Sequence, residues 1–241
     1  MLDITNKWAL VTGASRGIGR QVSIALAAKG CNLILHSRKK SNSDAVKKEI
    51  SSSNPKVKLL QVEAELSDNA QVQRLAAEAW KLSGGLDILY NNAAIMTQYR
   101  TDIYSATEEE YILSFKSNTI APITLCNIII PQMLKRKFGR VVNVTSGIKD
   151  EPQLMPYAAS KAALDKYVYD MAPHLKGTGV LMNLMDPGWL RTDLGGPNAP
   201  NSVESVIPGA LVPVLLNVGD ETCGKFFHAQ DYRAEFKFPI L

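Results

Sequence analysis

Short apolar, β-branched runs alternate with longer stretches of helical period along almost the whole chain, and no other feature restricts its fold as much. The runs are Trp8 to Thr12, Asn32 to His36, Val57 to Val62, Leu86 to Tyr90, Arg140 to Thr145, Val180 to Met185 and Lys225 to His228. Between them lie helical patterns at Ile18 to Lys29, Asp44 to Ser52, Asn69 to Leu82, Thr107 to Lys137, Tyr157 to Leu175 and Ser202 to Leu216. The runs lack clean apolar/polar alternation, as strands do when helices cover both faces of a parallel sheet. Regular strand–helix alternation implies right-handed crossovers. The expectation is an α/β fold, a doubly wound parallel sheet of about seven strands with helices on both faces.

Two helical patterns conflict with their own residues. Pro122 and Pro131 fall inside the fourth and should bend or break it, and Pro208 and Pro213 do the same to the last. With 241 residues, 46% of them hydrophobic, the chain can bury one sizeable core. It has no internal repeat, low-complexity segment or Gly/Ser-rich linker, so residues 1–241 read as one domain.

The formal charge of +4 is dispersed apart from short clusters at Arg38-Lys39-Lys40 and Lys135-Arg136-Lys137. That is too little for nucleic acid, which calls for a dense basic stripe, yet it suits a phosphate-bearing small ligand. Cys31, Cys126 and Cys223 are far apart and odd in number, as free thiols in a reducing compartment are. His36, His174 and His228 are scattered, so no metal site is expected. The N-terminus runs straight into a strand and shows no signal peptide. The apolar run from Leu125 to Met133 is too short to span a bilayer and carries Asn127 and Pro131. A soluble, cytoplasmic protein is expected.

Thr12-Gly13-Ala14-Ser15-Arg16-Gly17-Ile18-Gly19 follows the first strand and opens the first helix. A turn this tight needs residues free to take positive φ. A diphosphate bound there must approach backbone N–H groups at a helix N-terminus, which carries partial positive charge. Sites that prefer NAD place a carboxylate near the end of the second strand to hold the ribose 2′-hydroxyl. Here that strand ends Leu35-His36-Ser37-Arg38, without an acid. Arg38 could instead grip a 2′-phosphate with its planar fork, with Arg16 reaching the same group.

Tyr157 and Lys161 lie four apart in a helical pattern and so share a face. An ammonium beside a phenol favours the phenolate, and is expected to draw the Tyr157 pKa down from its reference of about 10. The pair reads as a general acid/base. Val141 to Ser146 reads as a buried strand ending in two hydroxyls, Thr145 and Ser146. Ligands of open parallel sheets sit at the carboxyl ends of strands, where Ser146 would hydrogen-bond a substrate oxygen.

Thr12 to Gly19, Asn91-Asn92-Ala93-Ala94, Asn118, Ser146, Tyr157-x-x-x-Lys161 and Pro187-Gly188-Trp189-Leu190-Arg191-Thr192 occur in one order and register. Together they resemble the short-chain dehydrogenase/reductase family, whose fold is of the Rossmann type. The resemblance implies NADP(H) as cofactor and hydride transfer between its nicotinamide and a ketone or aldehyde. It implies Tyr157 as the acid/base and Lys161 as the residue that lowers its pKa and binds the nicotinamide ribose. Ser146 would orient the carbonyl, and Asn118 would hold a water linking Lys161 to solvent. The cofactor would be held by Gly13, Ser15, Arg16, Gly17, Ile18 and Gly19, by Ser37 and Arg38, by Glu65 and Leu66, and by Asn92 and Ala93. Pro187, Gly188, Leu190 and Thr192 would hold the carboxamide, beside a substrate loop near 189–205.

The chain departs from the family pattern in places. Ala94 stands where Gly is usual, at a strain of about 1 kcal/mol if positive φ is needed. Glu65 replaces the Asp that commonly meets the adenine, and the connection from Ser146 to Tyr157 is slightly short. The ending, Gly224-Lys225-Phe226-Phe227-His228 and a charged, aromatic-rich stretch to Leu241, is closer to the carbonyl-reductase branch than to tetrameric members. A dimer through the helices from Thr107 and Tyr157 is the expectation. Met96, Tyr99, Tyr104, Leu154, Met155, Trp189 and Leu194 would line an apolar pocket. An imine or an activated C=C is an alternative hydride acceptor. A regulatory NADP(H)-binding protein without turnover is the alternative of another class, and the intact Tyr157, Lys161 and Ser146 argue against it.

Overall fold

In a computed structural model, which describes residues 1–232, every strand expected from the sequence is present. β1 is Trp8–Val11, β2 Asn32–Ser37, β3 Leu59–Glu63, β4 Ile88–Asn91, β5 Gly139–Val144, β6 Val180–Asp186 and β7 Phe226–His228. They form one sheet in the order β3-β2-β1-β4-β5-β6-β7, and every pairing is parallel. The helices are α1 (Gly17–Ala28), α2 (Asp44–Ser53), α3 (Asn69–Ser83), α4 (Glu108–Phe115), α5 (Ala121–Lys135) and α6 (Met155–Leu175).

Strand side chains divide between two apolar layers with the two-residue period of a pleated sheet. Val11, Leu35 and Val142 join Val22 and Leu26 of α1 in one layer. Leu10, Ile34 and Val141 join Leu75 of α3, Leu125 and Ile129 of α5, and Val168 of α6 in the other. Each such side chain contributes about 1.5–3 kcal/mol by leaving water. Strand β2 is buried along its whole length, which explains why Leu33, Ile34 and Leu35 follow one another without polar alternation. The carboxylate of Asp68 caps α3 by accepting from the Ala70 and Gln71 N–H groups at 2.9 and 3.2 Å. Thr107 and Glu110 form a capping box that starts α4.

The fourth helical pattern breaks before its prolines rather than at them. Residues Lys116–Ile120 form a π-helical turn between α4 and α5. Pro122 then sits in the first turn of α5, where a missing N–H is harmless. The expectation of a break at Pro131 is not met: it lies inside α5, at an exposed position, and the helix continues through it. The helical run Glu108–Lys135 is long and apolar enough to cross a membrane by length and composition. Its apolar face, including Leu125, Cys126, Ile129 and Met133, is instead packed on the sheet.

The last helical pattern is not an α-helix. Ser202 to Leu216 folds as two short 3-10 turns, Val203–Val206 and Gly209–Leu211. Pro208 and Pro213 lack the N–H groups a helix would need there. The apolar period is nonetheless a burial signal, because Val206, Ala210, Leu211, Val214 and Leu215 all pack in the α1 layer. Beneath this segment Arg140 is buried, and its guanidinium donates to the carbonyls of Leu216, Asn217, Gly139 and Gly179 at 2.9–3.3 Å. The chain reverses direction across the sheet between β1 and β4, and open α/β sheets bind ligands in that crevice at the strands' carboxyl ends. Residues 233–241, in which most of the charged, aromatic-rich ending falls, lie outside the described residues.

Candidate active site

The glycine turn spans the crevice between β1 and β4 and is tied down from both sides. Thr12 Oγ1 accepts from the N–H groups of Asn92 and Ala93 at 2.9 and 3.0 Å. Asn92 Nδ2 donates to the carbonyls of Thr12 and Gly13 at 2.8 and 3.3 Å. Gly13 has φ of +65°, and a Cβ on Gly19 would stand 2.2 Å from the Gly13 carbonyl oxygen. Both positions therefore need glycine, one for its backbone and one for the close approach. Gly13 N–H also donates to His36 Nδ1 at 3.2 Å, so Nε2 carries the proton that meets the Ala64 carbonyl at 3.1 Å. Burial lowers the His36 pKa to about 4, which keeps the ring neutral.

Helix α1 starts at Gly17 with no side-chain cap and no acidic residue in its first turn. Its opening N–H groups suit a diphosphate. Ser15 and Ile18 lie half-buried along this turn. At the end of β2, Ser37 is buried and donates to the Lys39 carbonyl, while Arg38 is exposed and has no ion pair among the described residues. Arg16, expected beside Arg38, instead pairs with Asp193 across the crevice at 3.1 Å. Both of those side chains are solvent-exposed, so either can exchange partners. Leu66 is buried, but the Glu65 carboxylate turns back to accept from the N–H and hydroxyl of Ser67, both at 3.2 Å. Ala94 does not adopt positive φ, so the strain considered for it does not arise.

Helix α6 and the end of β5 bring Ser146, Tyr157 and Lys161 together. Tyr157 is buried, with the Ser146 hydroxyl close enough to its phenol to favour the phenolate. Burial pushes its pKa up to about 12, outweighing Ser146, and the carboxylates of Asp186 and Asp165 push the same way. The expectation of a lowered Tyr157 pKa is thus corrected. Lys161 is itself buried, its pKa lowered to about 8 by desolvation. Its Nζ donates to the Val144 carbonyl at 2.7 Å and stands 5.9 Å from the centroid of the Tyr157 ring.

Asn118 lies in the π-helical turn, and its amide is engaged by protein. Its Oδ1 accepts from Ile95 N–H at 2.9 Å, and its Nδ2 donates to the Ile95 carbonyl and to Ser160 Oγ at 2.9 and 3.0 Å. The side chain is therefore a brace between α6 and the segment after β4. Pro122, four residues further on, has no N–H for the Asn118 carbonyl.

The segment after β6 forms the facing wall. Gly188 has φ of +77° and donates its N–H to Asp186 Oδ1 at 2.9 Å, and the Pro187 carbonyl accepts from Gln230 at 2.8 Å. Leu190 is buried and bridged to Asn201. Thr192 Oγ1 accepts from Gly195 N–H at 3.0 Å, and its methyl would stand 3.6 Å from a Cβ on Gly17. The glycine turn and the Pro187–Thr192 wall thus face each other. Of the residues expected to line an apolar pocket, Tyr99, Tyr104, Met155 and Trp189 are exposed.

Three polar residues near the site escape a reading of the sequence. Asp186 is buried at the end of β6, with His228 Nε2 3.5 Å from its Oδ2. Asp165 lies one helical turn beyond Lys161 and accepts a short hydrogen bond from Thr145 Oγ1. Ser160 links α6 to Asn118. Only Asp165 has a legible signal, its four-residue spacing from Lys161. Among the described residues, no cluster of His, Cys, Asp and Glu could hold a metal.

Comparison with known proteins agrees with this arrangement. Residues 7–202 match the short chain dehydrogenase family model. Oxidoreductase UcpA of Salmonella typhimurium is 32% identical, over 86% of this chain and 80% of its own. The 3-oxoacyl-[acyl-carrier-protein] reductase FabG of Staphylococcus epidermidis is 30% identical, over 78% of this chain and 77% of its own. A short chain dehydrogenase from Burkholderia cenocepacia, solved in complex with NADP, superposes with a TM-score of 0.81 at 26% identity, covering 94% of this chain and 97% of that one. With its parallel seven-stranded sheet, glycine turn and Tyr157–Lys161 helix, this chain belongs to the short-chain dehydrogenase/reductase family of oxidoreductases.

Proposed function

We propose that this protein is an NADP(H)-dependent reductase of ketones or aldehydes, with Tyr157 as the proton donor. One observation carries the reading: α6 and the end of β5 bring Tyr157 and Lys161, both buried, together beside Ser146, with Lys161 Nζ 5.9 Å from the centroid of the Tyr157 ring. A phenol held there can deliver a proton to a carbonyl oxygen as the hydride arrives. Ser146 would hold that oxygen, and Lys161, under Tyr157, would supply the positive charge that steadies the phenolate left behind.

NADP(H) fits the residues present. The open N-terminus of α1, the glycine turn and the Pro187–Thr192 wall would hold its diphosphate and nicotinamide ends. The missing acid at Ser37 and the exposed Arg38, without an ion pair among the described residues, suit a 2′-phosphate, and the Burkholderia relative was solved with NADP. When bound, the cofactor supplies the hydride. Imines and activated C=C bonds are alternative acceptors for the same residues. Exposed Ile112, Leu113 and Tyr169 on α4 and α6 support a homodimer through those helices. A cytoplasmic location and no nucleic-acid partner complete the reading.

The test is nicotinamide absorbance with NADPH and NADH against ketones, aldehydes, diketones, quinones and cyclic imines. NADPH oxidation by wild type, lost in Tyr157→Phe with cofactor affinity retained, is expected. Equal turnover by the variant would overturn the reading. Light scattering gives the dimer, and a mass equal to one chain would refute it.

A further inference from the structure

We infer that Asp165 is a positioning residue of this site: it anchors the strand end that carries Ser146 and acts as the counter-charge that keeps Lys161 an ammonium. The inference rests on the reading of Ser146, Tyr157 and Lys161 given above. Asp165 is half-buried on α6, on the same face as Lys161 and two turns beyond Tyr157. Its Oδ1 accepts from Thr145 Oγ1, and Thr145, itself buried, immediately precedes Ser146. The bond therefore locks the helix that carries the acid to the strand that carries the carbonyl-orienting hydroxyl. The Ser146 to Tyr157 connection is largely exposed and holds them only loosely, and the other tie between α6 and this strand end is the bond from Lys161 Nζ to the Val144 carbonyl.

The second half of the argument is electrostatic. Lys161 is buried, which disfavours its charged form, and its one fixed hydrogen bond goes to a neutral carbonyl, that of Val144. Asp165 acts in the opposite sense and favours the ammonium. The other groups facing Asp165 are Tyr157 and Tyr169 on α6, Thr145 just after β5, and Asp186 on β6, which is backed by His228 on β7. Among the described residues, Lys161 is the cation that acts on Asp165. Asp165 is pushed up to about 6 by burial, partly offset by the Thr145 bond and Lys161, with Asp186 adding to the rise. Asp165 is ionised above about pH 6, so its charge acts where Lys161, lowered to about 8, loses its proton, and it carries turnover further to the alkaline side.

Asp165→Asn keeps the size and an acceptor for Thr145 but removes the charge; Thr145→Val breaks the bond but keeps the charge. Each is compared with wild type by thermal melting and by NADPH turnover from pH 5 to 9, with the best acceptor of the panel above. Lys161 itself is followed by NMR titration of protein with 13C-labelled lysine, its signal assigned from Lys161→Met. For Asp165→Asn we expect the Lys161 signal to titrate lower by about one pH unit, a tenfold change in its proton affinity. Its kcat should be about five- to tenfold lower at pH 8 to 9 and little changed near pH 6, and KM for NADPH and the melting temperature should change little. Thr145→Val should lower kcat while leaving the Lys161 titration in place, with Thr145→Ser restoring kcat. An unshifted Lys161 titration in Asp165→Asn, or a wild-type pH profile, would overturn the inference. Turnover retained by Tyr157→Phe would instead overturn the underlying reading, and the Lys161 titration would be unaffected by that failure.

Discussion

Arg16 Nε lies 3.1 Å from Asp193 Oδ2, joining the glycine turn to the loop that follows Thr192. Both side chains are mostly exposed, so the pair adds little to stability. Its consequence is competition, because an Arg16 held by Asp193 is withheld from a ligand phosphate. Asp193→Asn is expected to tighten NADPH binding about two- to fivefold while leaving the melting temperature unchanged. Fluorescence titration of NADPH at two salt concentrations checks this. Weaker binding in the variant would mean that the pair holds the crevice in its binding shape.

Arg38 has no such competitor among the described residues. Replacing it with Ala should weaken NADPH binding by about 1.5–3 kcal/mol, the range for hydrogen bonds to charged groups, and leave NADH nearly untouched. Equal losses for both cofactors, measured by the same titration, would sink its assignment to the 2′-phosphate.

His36 makes folding sensitive to acid. Its folded pKa of about 4 lies below the ordinary 6.5, so the unfolded chain binds the proton first as pH falls. Stability from this group is complete above about 6.5 and is lost progressively down to about 4, by about 3 kcal/mol in all. Asp165, raised to about 6, acts in the opposite sense over part of the same window, stabilising as it takes its proton. Comparing wild type with His36→Gln in urea at pH 7 and pH 4.5 cancels that contribution. The variant should lose less stability between the two pH values; an equal loss would show that His36 is not the titrating group.

Arg140 is a buried cation serving four carbonyl oxygens, with Asp220 near enough to favour its charge. Arg140→Met keeps much of the volume and strands those acceptors, at about 2–4 kcal/mol. Urea unfolding should show a lower midpoint with an unchanged slope. A loss under 1 kcal/mol would mean that water replaces the guanidinium without penalty.

Strand identity and the two-layer plan are legible because short apolar runs such as Leu33-Ile34-Leu35 lie in strands buried along their whole length. The glycine turn, Ser146, Tyr157 and Lys161 are legible because tight turns and helix faces are local, fixed by spacing along the chain. Residues 202–216 read as a helix because burial and helix share a signal, and only Pro208 and Pro213 tell them apart. The partners of Arg16, Asn118, Lys161 and Asp165 are not legible at all. Asp193, Ile95, Val144 and Thr145 meet them only through the order in which the strands assemble. The direction of the Tyr157 pKa is hidden for a related reason: desolvation depends on what the fold stacks above a side chain, not on its neighbours in sequence.

The π-helical turn at Lys116–Ile120 also sets an angular phase between α4 and α5. It inserts about one residue beyond the α-helical repeat, and each residue of an α-helix advances the direction of its side chains by about 100°. Deleting one residue there would restore a regular helix and turn Leu125, Cys126, Ile129 and Met133 by that angle, off the sheet and toward solvent. The core on this side of the molecule therefore tolerates changes of residue in the turn far better than changes of length, and Asn118 occupies the one stretch where the two helices cannot be brought into common register.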